Sequence, residues 1–365
     1  MSRRPWKFVA VPMMLALALA LGAPPVAHGQ GVYTLRFANF FPGPAGPSQL
    51  VDEFARDINR LTGGRVVIEH YPGGTLLGAP EIYDGVAQGI AHLGLSNLGY
   101  TFGRFLETEL LDLPLGYPNA WVANKVVQDF YERYQPAEWN DTVVLTLHSS
   151  PVNVILTADR PVRRLEDMRG LTLRGTGYIA RFVEALGATA RPVATPEAYD
   201  AVNRRVIDGL MIPYETVVTF RFGDVTRYIT EVWPMGQVYT FYIVANKDAW
   251  NSLPEDIRNI ITDYIENEFR DKLAMMWNDI DIEGYEYAVN AGLEFIELSD
   301  EELNRWQTLA NRVIQDYINA MVSRGYSEAD LRERIAFVRE RIAYWTAEQA
   351  ARGIKSPTGP PEVRL

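Results

Sequence analysis

Strand-like and helix-like hydrophobic patterns alternate along the first two thirds of the chain, and this alternation limits the possible folds most strongly. Residues 33–38 have a strand pattern, and the following helix pattern places Leu50, Phe54 and Ile58 on one face. The same alternation predicts strands at 65–71, 92–96, 143–148, 171–174 and 238–245, and helices at 79–89, 121–134, 178–186 and 197–205. Such an order is typical of mostly parallel sheets covered by helices, so we expect an α/β fold.

The last third of the chain is helical. A proline-free helix pattern runs over 255–290, which is long for one globular helix, so we expect it to connect two lobes. A capping box, Ser299 with Glu302, begins the next helix. We expect a C-terminal helix over 331–352 and, because Pro and Gly dominate its composition, a disordered tail over 353–365.

The first residues predict export. Arg3, Arg4 and Lys7 precede an apolar run at 8–21, which is too short for a stable membrane span. Small residues at Ala27 and Gly29 fit the recognition sites of signal peptidase. We therefore predict a signal peptide over 1–29 and a mature protein in the periplasm. The paired arginines also resemble a twin-arginine signal, so the export route stays open.

Charge and cysteine content exclude several classes of function. The formal net charge is −11, which disfavours nucleic-acid and anionic-membrane partners, since both need concentrated positive charge. The chain has no Cys, so it has neither disulfides nor a thiolate nucleophile. No segment after residue 29 has the length and apolar character of a membrane span, so we expect no direct insertion.

A glycine-rich turn after the strand at 171–174 allows two interpretations. Gly175-x-Gly177-x-x-Ala180 between a strand and a helix matches a dinucleotide-binding turn, with Glu197 as the ribose ligand of an exported oxidoreductase. Alternatively, Arg174 at the strand end presents its planar guanidinium to a carboxylate, and the helix N-terminus adds partial positive charge.

Other catalytic patterns are weak. The histidines after residue 29 are His70, His92 and His148, and the last two border apolar strands, so we assign them to the core or a sheet edge. No spacing matches a nucleophile elbow or a metal site, and we expect neither an enzyme nor a cofactor. Several aromatic residues lie near the expected crevice between the lobes, and we predict that some line a pocket: Phe40, Tyr214, Tyr239 and Phe241.

Several segments together resemble the periplasmic solute-binding subunit of TRAP transporters, the DctP-like family. The likeness covers roughly 35–265 and includes Tyr71-Pro-Gly-Gly-Thr-Leu-Leu-Gly78, Asp167-Met-Arg-Gly-Leu-Thr-Leu-Arg174 and Tyr242-Ile-Val-Ala-Asn246. The resemblance implies a two-lobed periplasmic solute-binding fold with hinge strands and a long helix that spans both lobes. It places lobe I at 30–151 with about 240–275, and lobe II at 152–239 with about 276–330.

The resemblance also implies a ligand and partners. Arg174 occupies the place of the family's carboxylate-binding arginine, and Asn97 that of a polar pocket residue. Ile212 replaces an asparagine of the sialic-acid binders, and Val154 replaces a second arginine of many members. These departures favour a more apolar anion, an aromatic or branched monocarboxylate. The implied partners are the TRAP membrane subunits, with a sensor system as the alternative.

Overall fold

The computed structural model describes residues 31–365, so the predicted signal peptide lies outside the described residues. Within 31–365 no helix combines the length and the apolar character that a membrane crossing demands. The strands of this part are β1 (Tyr33–Asn39), β2 (Val66–Tyr71), β3 (Leu93–Asn97), β4 (Thr142–Ser149), β5 (Val154–Thr157), β6 (Thr172–Arg174), β7 (Thr189–Arg191), β8 (Gly209–Ile212), β9 (Tyr228–Glu231), β10 (Thr240–Asn246) and β11 (Glu294–Glu297).

Helices cover both faces of the sheets that these strands form. They are α1 (Gly46–Leu61), α2 (Ile82–Ala87), α3 (Ala120–Tyr134), α4 (Gly177–Ala185), α5 (Thr195–Asn203), α6 (Thr216–Thr219), α7 (Lys247–Ser252), α8 (Glu255–Tyr264), α9 (Arg270–Asn290), α10 (Asp300–Val322) and α11 (Glu328–Ala351). The α/β class predicted from the sequence is confirmed.

Two sheets define two lobes. The first has the order β2-β1-β3-β10-β4, and the second has the order β11-β9-β5-β8-β6-β7. Both sheets are mostly parallel, as the sequence predicts, and each contains one reversed strand: β10 runs antiparallel to β3 and β4, and β5 runs antiparallel to β8 and β9. These two strands each follow directly on a strand of the other lobe.

The chain crosses between the lobes at 150–153 and 232–239, here called the crossing segments. They hydrogen-bond to each other: the Ser150 amide donates to the Tyr239 carbonyl at 2.9 Å, and the Asn153 amide donates to the Gln237 carbonyl at 2.9 Å. Paired extended segments of this kind restrict the rotation of the two lobes to an axis near the segments themselves.

The long helix spans both lobes, as the sequence predicts. Pro254 precedes α8, a π-helical turn at Ile265–Phe269 follows, and α9 continues to Asn290 without a break. Helix α9 packs against α1 and α3 of lobe I and against α6 of lobe II. A π-turn widens the helix locally and is frequent at functional positions.

The sequence predicts a disordered tail over 353–365, but in the structure this segment packs against both lobes. Ser356, Thr358 and Val363 are fully buried, and the Thr358 hydroxyl donates to the Pro118 carbonyl of lobe I at 2.7 Å. The Arg364 guanidinium binds both carboxylate oxygens of Glu231 in lobe II, at 3.0 and 2.8 Å. Proline and glycine here fix a compact turn whose polar groups find partners, so composition alone was misleading.

We predict that Arg364→Ala lowers the free energy of unfolding by about 1–3 kcal/mol, because the Glu231 carboxylate is 5% exposed and loses its charged partner. Urea or thermal unfolding measures the change. Arg221→Ala is the control, since its ion pair with Asp224 is exposed and contributes little. Equal losses in both variants would contradict the anchoring role of the C-terminal segment.

Candidate ligand-binding site

A small cavity lies between the two lobes, beside the crossing segments. Its volume is about 20 Å³, which holds roughly one water molecule. The wall consists of Phe40, Phe41, Asn97, Ser150, Arg174, Thr195, Ile212, Pro213, Glu215, Thr216, Phe220, Tyr239 and Phe241. The structure thus brings together six of the seven residues that the sequence predicts for the site; the exception is Tyr214.

Arg174 is the buried cation of this cavity. It ends β6 and is 1% exposed. Its Nε donates to the Val193 carbonyl at 3.0 Å, Nη1 donates to the Tyr239 hydroxyl at 2.7 Å, and Nη2 donates to the Thr195 hydroxyl at 3.0 Å. The guanidinium carbon lies 5.1 Å from the centre of the Tyr239 ring, within the range of a cation–π contact.

Every acceptor of Arg174 is neutral. Among the described residues, no carboxylate oxygen lies within 4.0 Å of its nitrogens, although the chain is rich in Arg–carboxylate pairs elsewhere. A guanidinium has five N–H groups, so one on each terminal nitrogen lacks an acceptor within residues 31–365. Two parallel N–H groups match the two oxygens of a carboxylate.

The glycine-rich turn after Arg174 serves close packing. A Cβ on Gly175 would lie 3.1 Å from the Ala180 amide nitrogen. Gly177 has φ +57°, and a Cβ on it would lie 3.2 Å from the Gly99 Cα of lobe I. The space that a pyrophosphate needs at such a turn is filled by the Gly99 backbone. The geometry therefore favours the arginine interpretation over the dinucleotide one.

Aromatic rings form the lobe I side of the cavity. Phe40 stacks on Phe41 with 4.3 Å between ring centroids, and Phe41 contacts Phe220 of lobe II at 5.8 Å. Phe241 lies 5.7 Å from Phe41 and 5.3 Å from Trp277 of the long helix. This wall is apolar and rigid, which suits a flat or branched hydrocarbon group.

Asn97 supplies a polar atom in that wall. It is the last residue of β3 and pairs with Phe241 across the sheet. The residue is 3% exposed, and its Oδ1 has no hydrogen-bond partner among the described residues. An unpaired buried acceptor is costly, so a ligand donor at this position would recover free energy.

Tyr214, which the sequence predicts for the site, does not line the cavity. Its ring lies outside the cavity wall, packs against Tyr285 and Phe295, and its hydroxyl donates to Glu231 at 2.8 Å. The chain leaves β8 at Ile212 and turns at Pro213, which sends Tyr214 behind the sheet. Ile212 lines the cavity. Val154, its register partner in the pairing of β5 with β8, does not line the cavity and belongs to the hydrophobic core of lobe II.

Thr195 and Tyr100 form a contact between the lobes that the sequence did not single out. The Tyr100 hydroxyl of lobe I accepts a hydrogen bond from the Thr195 amide at 3.0 Å. The same hydroxyl forms a second hydrogen bond with the Thr195 hydroxyl at 2.9 Å. Because Thr195 also binds Arg174, lobe closure and the arginine are linked directly. The only sequence signal was a Thr-Pro helix start at α5.

Glu215 and Asp281 place two buried carboxyl groups beside the cavity, and only Glu215 lines it. The Glu215 amide donates to Asp281 Oδ1 at 3.2 Å, and Gly284 lets the long helix approach, since a Cβ there would lie 2.3 Å from the Tyr214 carbonyl. Burial raises the pKa of Glu215 to about 8 and raises the pKa of Asp281 well above its usual range.

His148 belongs to the core beside the site, as the sequence predicts. Its ring stacks on Phe241, and Nδ1 accepts from the Trp277 indole at 2.9 Å. Burial lowers the pKa of His148 to about 3, so the ring is neutral near pH 7. Within residues 31–365 no group of three or more His, Asp or Glu side chains is arranged to hold a metal ion.

Comparison with known proteins places these features in a family. The model of the DctP family, bacterial extracellular solute-binding protein family 7, matches residues 48–320. The C4-dicarboxylate-binding periplasmic protein DctP of Rhodobacter capsulatus is 23% identical over 314 residues, which span 82% of this chain and 89% of that protein.

Solved structures give the same result. A TRAP periplasmic solute-binding protein from Desulfovibrio salexigens is 29% identical, with a TM-score of 0.72, over 84% of this chain and 95% of that chain. A TRAP solute-binding protein from Rhodoferax ferrireducens, in complex with copurified benzoate, is 26% identical with a TM-score of 0.80. The match covers 86% of this chain and 99% of that chain.

The raised pKa of Glu215 predicts a pH-dependent stability difference. The folded protein holds this proton more tightly than the unfolded chain, so wild type loses stability as the pH rises from about 4.5 through about 8. In Glu215→Gln the amide cannot ionise and that loss disappears. Melting temperatures should therefore differ little below about pH 4.5, increasingly favour the variant between about pH 4.5 and about pH 8, and show a constant difference above that; a constant difference between about pH 4.5 and about pH 8 would contradict the assignment.

Proposed function

The chain belongs to family 7 of the bacterial extracellular solute-binding proteins, and we propose that it captures a small organic carboxylate and delivers it to a TRAP-type transporter. This family consists of solute-binding transport proteins. The proposal includes export with the segment 1–29 as a cleaved signal peptide, and the membrane subunits of such a transporter as partners.

One observation carries the proposal: the Arg174 guanidinium is buried between the lobes and has no carboxylate among the described residues. Burying an uncompensated charge costs several kcal/mol, and proteins normally pair it. A ligand carboxylate would provide that pair with two charge-assisted hydrogen bonds. The solved structure of the TRAP solute-binding protein from Rhodoferax ferrireducens contains benzoate, which supports a small carboxylate as the ligand.

Ligand entry requires the lobes to separate. A cavity of about 20 Å³ is far smaller than any organic acid, and Tyr100 and Thr195 bridge the lobes over Arg174. Rotation about the crossing segments would open this contact without disturbing either sheet. Reclosure around the ligand would exclude water and strengthen the ion pair, and the closed form would be the one that the transporter recognises.

The wall of the cavity supports an apolar ligand body. Phe40, Phe41 and Phe241 offer ring faces, and Ile212 offers an aliphatic side chain. The family resemblance implies that Ile212 stands in place of an asparagine of the sialic-acid binders.

The unpartnered polar atoms of the wall, Asn97 Oδ1 and Glu215 Oε2, are fewer than the hydroxyl groups of a sugar acid. A hydroxyl-rich ligand would therefore bury further hydroxyl groups without partners, at about 1–3 kcal/mol each. An aromatic or branched monocarboxylate buries hydrocarbon instead.

We predict that Arg174→Lys weakens ligand binding by on the order of tenfold to a hundredfold, because one of two parallel hydrogen bonds is lost while the charge remains. Arg174→Ala should weaken binding further, since the carboxylate then has no cation. Calorimetry with one identified acid measures both, and melting curves without ligand check that the variants remain folded.

Arg191→Ala is the matched control. Arg191 ends the neighbouring strand β7, is the register partner of Arg174, and is exposed. Its replacement should leave affinity unchanged. Affinities that are equal for wild type and both Arg174 variants would show that the ligand is anchored elsewhere.

A further prediction concerns the chemical class of the ligand. In a thermal-shift screen of organic acids, aromatic and branched monocarboxylates should raise the melting temperature more than sialic acid, sugar acids or C4-dicarboxylates at equal concentration. Calorimetry then ranks the affinities. Tighter binding of a sugar acid or a C4-dicarboxylate would contradict the apolar pocket while leaving the role of Arg174 intact.

A further inference from the structure

Glu215 is a second ionisable side chain in the cavity wall. It follows β8 by three residues, is 3% exposed, and its Oε2 has no hydrogen-bond partner among the described residues. No Lys, Arg or His nitrogen of the described residues lies within 4.0 Å of it, in contrast to the buried Glu231, which binds Arg364. The carboxyl group is therefore not explained as a structural ion pair.

The fold holds Glu215 in place independently of Arg174. Its backbone amide donates to Asp281 of the long helix, and Gly284 allows that helix to touch the Tyr214 and Glu215 backbone. Arg174 is instead held by Tyr239 and Thr195. Two buried polar groups thus reach one cavity from different elements, so a single ligand can contact both.

The two groups differ in what they can bind. The ligand carboxylate belongs on Arg174, because the Glu215 carboxyl group has no positive charge to pair with it. The Glu215 carboxyl requires a hydrogen-bonding partner, and an unpartnered buried oxygen is costly. A neutral ligand hydroxyl satisfies it, because a hydroxyl both donates and accepts.

We propose that Glu215 is a specificity-determining residue, and that the ligand is a hydroxy-substituted carboxylic acid whose hydroxyl group bonds to the Glu215 side chain. This inference rests on the proposed function, since it presupposes an acid bound at Arg174. It narrows the ligand class to acids with an apolar body, one carboxylate and a hydroxyl group at a distance from that carboxylate.

Calorimetry on acid pairs that differ by one hydroxyl tests the proposal. The probes are benzoate with its three hydroxybenzoates, phenylacetate with its ring-hydroxylated forms, and isovalerate with 3-hydroxyisovalerate. In wild type, the best hydroxy acid should bind about tenfold more tightly than its parent acid, as one hydrogen bond to a buried group predicts. Glu215→Met, which keeps the side-chain length without a hydrogen bond, should reduce that ratio to about one.

Two further variants complete the design. Glu215→Gln keeps a donor and an acceptor and should retain most of the preference. Glu109→Gln is the control: Glu109 is a buried carboxyl that accepts from the Gly103 amide and does not line the cavity, so its replacement should leave the ratio unchanged.

The outcomes separate the two proposals. A hydroxyl preference that is absent in wild type, or that persists in Glu215→Met, overturns the role of Glu215, while parent acids that still require Arg174 leave the proposed function standing. Tighter binding of phenylalanine than of any hydroxy acid would overturn the inference in favour of an ammonium partner. If no acid binds in an Arg174-dependent manner, both proposals fail.

Discussion

The arginine at the end of β6 is the group on which the rest of the site depends. Its guanidinium is buried as deeply as the aromatic core, yet only a carbonyl and two hydroxyl groups hold it. Neutral acceptors fix the direction of the planar group without neutralising its charge. Such a group is pre-oriented for an anion. The free energy of binding then comes from the ion pair between the guanidinium and the ligand carboxylate, because no carboxylate among the described residues forms that pair.

The fold keeps that charge between two bodies that are joined at several places. The crossing segments pair with each other, the long helix packs on both lobes, and the C-terminal segment contacts Pro118 in lobe I and Glu231 in lobe II. Tyr100 and Thr195 add a contact directly over the site. Connections of this kind permit a hinge rotation while excluding large translations, which is what a capture-and-release protein requires.

Sequence patterns predicted the parts of the fold that depend on local periodicity. Long strands such as β1 and β4 and the helix over 255–290 were found because their burial repeats along the chain. Among the strands of three or four residues, β6 was predicted, but β5, β7, β8, β9 and β11 were missed, since so short a segment carries little periodicity. Arg174 followed from its place at a strand end. Glu215 and Thr195 did not, because their positions depend on contacts with the long helix and the opposite lobe.

A crystal structure of the complex with a tightly bound monocarboxylate tests the central claim most directly. Both carboxylate oxygens should lie within about 3 Å of the two terminal nitrogens of Arg174, with Tyr239 and Thr195 still bonded to the guanidinium. The hydrocarbon part of the ligand should contact Phe40, Phe41 or Phe241. A carboxylate bound elsewhere, with Arg174 paired to an acidic side chain of the protein, would contradict the account.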